Sequence, residues 1–245
     1  SLFSSHLLTS EVLIPVLVTK SVVVFTFHSH SFCWYSPIIP ISLGANLTNS
    51  PESAIQSGSR NLINVNPYGK YLHNNILGGS VNHILSAQTQ NVILNGTGNQ
   101  IKTSLGGYSS GSNSARNFIG NGVWNTISDS KYAEAYSSPI YNVITNGLSN
   151  EISGSSYSSI VNGQYNKIHL LNETAGSGDN VFSAFIGGGD HNTITGHKAK
   201  GNSILNGSYN RISSDNSVAG EEEAYNSILG GESNVISGNT SGSTI

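Results

Sequence analysis

The sequence is poor in charge. Lys plus Arg number 10 and Asp plus Glu 13, so only 9% of the 245 residues are charged and the formal net charge is −3. An ordinary domain carries about 25%. Such a composition is poor material for a helical enzyme, and without a positive excess nucleic acid is not an expected partner. There is one cysteine, Cys33, so no disulfide can form within the chain, and there is no methionine. Long hydrophobic runs are also missing. Val12-Leu-Ile-Pro-Val-Leu-Val18 and Val22-Val-Val-Phe-Thr-Phe27 are short, strand-prone and interrupted by Pro15 and Lys20. A membrane-spanning helix needs about 20 apolar residues. Ser1 to Ser10 lacks the basic start of a secretory signal.

Recognisable catalytic chemistry is absent as well. There is no Gly-x-Ser-x-Gly, phosphate loop, metalloprotease helix or paired-cysteine zinc pattern. Asp129 with Glu134, and Glu221, Glu222 and Glu223, are the carboxylate groupings that could serve glycoside cleavage. Three consecutive glutamates read better as a solvated run, and Asp129 with Glu134 does not match a calcium loop. No acid is expected to recur at a fixed place in a repeat, as a catalytic groove would require. Asn46, Asn95, Asn172, Asn206 and Asn239 fit the N-x-Ser/Thr pattern, but such matches arise freely in a chain this rich in Asn and Ser. No enzymatic activity and no cofactor are expected.

What is abundant is repetition. An eleven-residue unit, exemplified by Asn226-Ser-Ile-Leu-Gly-Gly-Glu-Ser-Asn-Val-Ile236, starts at Asn74, Asn91, Asn117, Asn142, Ser158, Ala184, Asn202 and Asn226. Place three is Ile76, Ile93, Ile119, Ile144, Ile160, Ile186, Ile204 and Ile228. Place six is Gly79, Gly96, Gly122, Gly147, Gly163, Gly189, Gly207 and Gly231. Place nine is Asn82, Asn99, Asn125, Asn150, Asn166, Asn192, Asn210 and Asn234. Place eleven is Ile84, Ile101, Ile127, Ile152, Ile168, Ile194, Ile212 and Ile236. Invariance of this kind within one chain signals stacked repeats.

Each place has a physical reading. The isoleucines are β-branched and suit strands, whose side chains alternate between faces. The sixteen form the inward column. Place five is Gly or Asn and precedes the invariant Gly, so the chain turns there through positive φ. Stacked Asn side chains at place nine can hydrogen-bond up and down a ladder. The unit is strand, tight corner, strand: one rung of an all-β solenoid. A hairpin meander would not need the fixed Asn.

Places two and four flank the inward Ile and point outward. Leu77, Leu94, Val161, Leu205 and Leu229 make place four largely apolar, whereas place ten is wet (His83, Gln100, Thr126, Glu151, Lys167). A long apolar stripe marks an interface, so self-association along the rod is expected, or cover by another part of the chain. Copy starts are separated by 17, 26, 25, 16, 26, 18 and 24 residues. The longer copies must throw out loops, or add partial turns. Tyr108, Tyr132, Tyr136 and Tyr225 lie in those extensions and are candidates for surface recognition.

The runs Tyr157-Ser-Ser-Ile-Val-Asn-Gly-Gln-Tyr-Asn-Lys-Ile168 and Asn226 to Gly238 resemble the head repeats of trimeric, YadA-like autotransporter adhesins and related phage and large-virus fibre proteins. The resemblance covers roughly residues 60–245. It implies a left-handed β-roll with three chains side by side and no catalytic site. The uneven spacing departs from the tight repeats of the adhesin heads. A right-handed parallel β-helix, as in polysaccharide lyases and depolymerising tailspikes, is the alternative fold.

The expected organisation has three parts. Residues 1–44 form an apolar attachment or trimer-base segment, and 45–73 a polar bridge in which Asn61-Leu-Ile-Asn-Val-Asn66 is a degenerate first rung. Residues 74–245 form the solenoid, with a ninth copy opening at Ser243. Further repeats or a tip domain are expected beyond Ile245. His28 and His30 would point the same way in a strand and converge on a trimer axis. Related phage fibres bind iron through such a pair, so these two are the candidate metal ligands. The functional expectation is a virion or tail fibre presenting loops to a host surface glycan or protein. The N-terminal segment would contact other virion or cell-surface proteins. A bacterial adhesin head and a glycan-cleaving tailspike are the alternatives.

Overall fold

The structure, a computed structural model, describes residues 46–48, 53–65, 73–86, 90–102, 116–128, 141–154, 157–170, 183–197, 201–215, 225–238 and 242–245. Every strand pairing among them is parallel, and none of them is helical. Each repeat contributes two strands, one to each of two sheets. The nine-stranded sheet stacks the strand at places two and three of each copy, such as Asn75–Ile76, Val92–Ile93 and Phe118–Ile119, through to Ser227–Ile228. The ten-stranded sheet stacks the strand that starts at place ten, such as His83–Ser86, Gln100–Lys102 and Thr126–Ser128, through to Val235–Ser237. Strands alternate between the sheets along the chain, and each pairs with the equivalent strand of the next copy. That is a parallel β-solenoid.

Register follows from the invariant isoleucines. Ile144 pairs with Ile160 and Ile119 in one sheet, and Ile152 with Ile168 and Ile127 in the other. All sixteen have no exposed surface except Ile236, at 5%. Two facing columns of one side-chain type fill the interior, each Ile contributing about 1.5–3 kcal/mol on leaving water. A third ladder, one residue wide, runs up the corner at place seven, from Ser59 through Thr97, Leu148 and Asp190 to Glu232.

The solenoid begins before residue 74. Ala54–Ile55 pairs with Asn75–Ile76, and Leu62–Val65 with His83–Ser86. Ser53 to Ile63 is therefore a complete coil with Ile55, Gly58, Asn61 and Ile63 at the invariant places. Leu47–Thr48 stacks beneath it as half of another. The boundary drawn from the sequence is corrected accordingly. The signal was present at all four invariant places, but Ser57 at place five broke the Gly-or-Asn pattern. At the other end Thr244 bridges to Ser227, and the Leu229 amide donates to the Ile245 carbonyl at 2.8 Å, opening the coil at Ser243.

Candidate functional site

The corner between the sheets is built on two residues. Gly at place six has φ between 80° and 119°, a region costly for any residue with a Cβ. A Cβ at Gly207 would also lie 2.2 Å from the carbonyl oxygen of Gly231 in the next coil. Asn at place nine then fastens the corner. The Asn166 amide donates to Asn150 Oδ1 at 3.1 Å, and Asn166 Oδ1 accepts from the Asn192 amide at 3.0 Å. Its Nδ2 reaches the Asn162 carbonyl at 3.3 Å and that of Gly189 at 3.0 Å. The pattern is unbroken from Asn46 to Asn234. A second ladder runs up place one, where Ser158 Oγ accepts from the Ala184 amide at 3.1 Å. Ala184 has no side-chain acceptor to continue it, and Asn202 Nδ2 turns to Ser214 Oγ at 3.0 Å.

Place eight is a feature the sequence reading passed over. Arg60, Val81, Trp124, Ser149, Tyr165, His191, Tyr209 and Ser233 all hold φ between 53° and 57°. Left-handed backbone at eight side-chain-bearing residues is sustained only because neighbouring coils impose it. The larger rings stack from coil to coil: His191 lies 4.8 Å from Tyr165 and 4.9 Å from Tyr209, centroid to centroid. Trp124 covers Gly98. The faces of the Tyr165, His191 and Tyr209 rings are turned towards one another, so the stack offers mostly edges to solvent.

The opposite corner precedes place one. Arg116 Nε donates to Gln90 Oε1 at 2.6 Å, and its guanidinium lies 5.4 Å from the Tyr141 centroid. Tyr141 stacks on Tyr157 at 5.1 Å. Tyr225, one of the candidates for surface recognition, lies at this corner and is exposed. It is the last residue before place one, with φ 25° and its ring over Gly201. In every copy from Asn74 onward the described coil resumes at the residue just before place one, as at Tyr141, Tyr157 and Tyr225. Tyr108, Tyr132 and Tyr136, the acidic groupings at Asp129, Glu134 and Glu221 to Glu223, and the pair His28 and His30 lie outside the described residues. Among the described residues no three His, Cys, Asp or Glu side chains come together as a metal site.

The outer face of the nine-stranded sheet carries the apolar wall. From Leu77 through Val92, Leu94 and Phe118 to Val143 each coil carries at least one apolar outward side chain, and these are half-buried, although Asn75 and Thr145 are polar and Gly120 has no side chain. Beyond that, Ser159, Ser203 and Ser227 occupy place two, while Val161, Leu205 and Leu229 remain exposed. The Phe118 and Phe185 rings fold over Gly120 and Gly187 in their own coils.

One coil interrupts both the wall and the corner column. Gly187, Gly188 and Gly189 occupy places four, five and six, and no other described copy lacks side chains at all three. The result is an open groove of about 770 Å³. Its lining combines Phe185 and Leu205 with the polar side chains of Asn162, Gln164, Asp190 and Asn206. Asp190 Oδ1 lies 2.6 Å from His191 Nδ1, which holds the carboxylate in place.

Charge elsewhere is sparse. Glu151 and Lys167 approach to 3.7 Å on the ten-stranded face, where the pair is largely solvated and worth little. Two acids do share a place in the coil, contrary to the impression the sequence leaves. Asp190 and Glu232 both sit at place seven, two coils apart, with Ser208 between them. Coil spacing puts their backbones roughly 9.6 Å apart, but Asp190 is already engaged by His191. No protein-family model matches the sequence, and no curated protein matches it.

Proposed function

We propose that the protein is a structural and attachment fibre of a virion or phage tail, a rigid rod of three solenoids that presents loops from one edge to a host surface. A bacterial adhesin head would use the same mechanics. One observation carries the reading: the same coil, with its isoleucine interior and unbroken Asn46 to Asn234 ladder, stacks without a change of register. Ten strands at about 4.8 Å spacing give a shaft of roughly 43 Å. In such a quasi-one-dimensional body each coil contacts only its neighbours, so the coils stand at fixed intervals along the rod.

Self-association through the apolar wall supports the same reading. A strip with an apolar outward side chain in every coil from Leu77 to Val143, extended by Val161, Leu205 and Leu229, is the kind of patch that marks an interface. Sedimentation of the chain in detergent-free buffer is expected to give a homotrimer. Glu at Leu94 and Val143 together is expected to give a monomer with an unchanged circular dichroism spectrum. A stable wild-type monomer ends the trimer. Release of reducing ends from a polysaccharide by the purified chain would replace the fibre with the glycan-cleaving alternative.

A further inference from the structure

We propose that the notch at Gly187–Gly189 binds a neutral saccharide, one pyranose seated between Asn162 and Asn206 with an apolar face against Phe185. The argument starts from what the coil omits. Along place five the side chains of Asn95, Asn121, Asn146 and Asn162 fill successive coils, and Asn206 resumes after Gly188. One missing residue in a column spaced by about 4.8 Å leaves the backbones of Asn162 and Asn206 roughly 9.6 Å apart with no side chain between them. That gap admits one sugar ring lying between them. Gly187 also lacks a side chain, and the Phe185 ring that lies over it walls the gap on the sheet face.

The lining has the chemistry of saccharide recognition. The Phe185 ring supplies apolar contact for the C–H face of a pyranose. Among the described residues, the side-chain amides of Asn162, Gln164 and Asn206 make no hydrogen bond, and each both donates and accepts. Asp190, fixed through one oxygen by His191, keeps the other to accept from a hydroxyl. A concave site with an apolar wall and a few convergent polar groups is what small-molecule binding requires. The carboxylate disfavours anionic sugars. The notch lies at the place-six end of the nine-stranded sheet, and Leu205 beside it belongs to the apolar wall. This inference goes beyond the fibre reading and does not need the trimer.

The geometry supplies its own control. A Cβ at Gly188 would meet nothing nearer than Asn206 Oδ1 at 3.9 Å, and its φ is not positive. Gly188→Asn therefore restores the column and fills the gap without disturbing the coil. Phe185→Ser places there the residue that neighbouring copies already carry at Ser159 and Ser203. Saturation-transfer NMR and calorimetry on the full chain would use maltotriose, cellotriose and mannotriose, with sialyllactose as the anionic comparison. Saturable binding of at least one neutral trisaccharide is expected. It should weaken about tenfold or more in each variant, the loss that follows from one ring contact or its equivalent in hydrogen bonds. Melting and sedimentation of both variants should match the parent. Absence of binding to all three, equal binding by G188N, or preference for sialyllactose would overturn the proposal. A rod that assembles but does not bind sinks the notch alone; a monomer that binds through Gly188 sinks the trimer alone.

Discussion

Asn150 makes its case through its neighbours. Its Oδ1 accepts from the Asn166 amide at 3.1 Å, and its Nδ2 donates to the carbonyls of Asn146 at 3.3 Å and Gly163 at 2.9 Å. Truncation leaves buried backbone groups without partners, at about 1–3 kcal/mol for each orphan. Asn150→Ala is therefore expected to cost about 2–4 kcal/mol in urea unfolding. Asn142→Ala at place one should cost clearly less, because Ala184 already occupies that place in another coil. Equal losses at the two sites would mean that the ladders do not differ as described. Val81 offers the opposite test. A β-branched residue at φ 57° is strained, and the next coil uses Gly98 there. Val81→Gly should raise the urea midpoint, by about 1 kcal/mol of released strain; a lower midpoint would show that Val81 packing outweighs the strain.

At the scale of the strand, His83 titrates against its sheet. It is half-buried on the ten-stranded face. Burial first, and then the charge of Lys102 in the next strand, hold its pKa below the ordinary histidine value. The unfolded chain protonates near about pH 6.5, while folded His83 stays neutral to lower pH. Over that interval the unfolded state binds more protons, so stability falls as the pH drops. Stability measured from about pH 7.5 down to 5.5 should decline. His83→Gln, copying Gln100 of the next coil, should flatten the decline. An unchanged slope in the variant would remove His83 as its source.

For the whole molecule, the coil is the unit that can be added or removed. Residues 142–157 make one copy of 16 residues, running from place one to the residue before the next place one at Ser158. Their deletion joins Tyr141 to Ser158 in register. The shortened chain is expected to fold, with a shaft shorter by about 4.8 Å in solution scattering. Deleting 142–158 instead shifts the joined copy by one place. A slip of one residue turns every side chain of a strand to the other face, so Ile160 would leave the interior. That variant should lose cooperative unfolding. If both deletions fold alike, the register is not what holds the rod together.

The isoleucine columns, the glycine corner and the Asn ladder were legible in the sequence because each follows from a local rule: strand alternation, positive φ and in-register stacking. Repetition then carried those rules along the chain. The coil at Ser53 to Ile63 shows where local pattern falls short, since one serine hid four matching places that only pairing with Asn75–Ile76 and His83–Ser86 brings into view. Side chains in different copies are 16 to 26 residues apart in sequence but one coil apart in space. Which of them touch was therefore decided by the stacking. The strained place-eight ring stack, the packing of the Tyr225 ring over Gly201, and the notch between Asn162 and Asn206 exist only across coils. Gly188 looks in the sequence like any other corner glycine. In the tertiary structure it is the missing member of a column, because its absent side chain lies between two that are present.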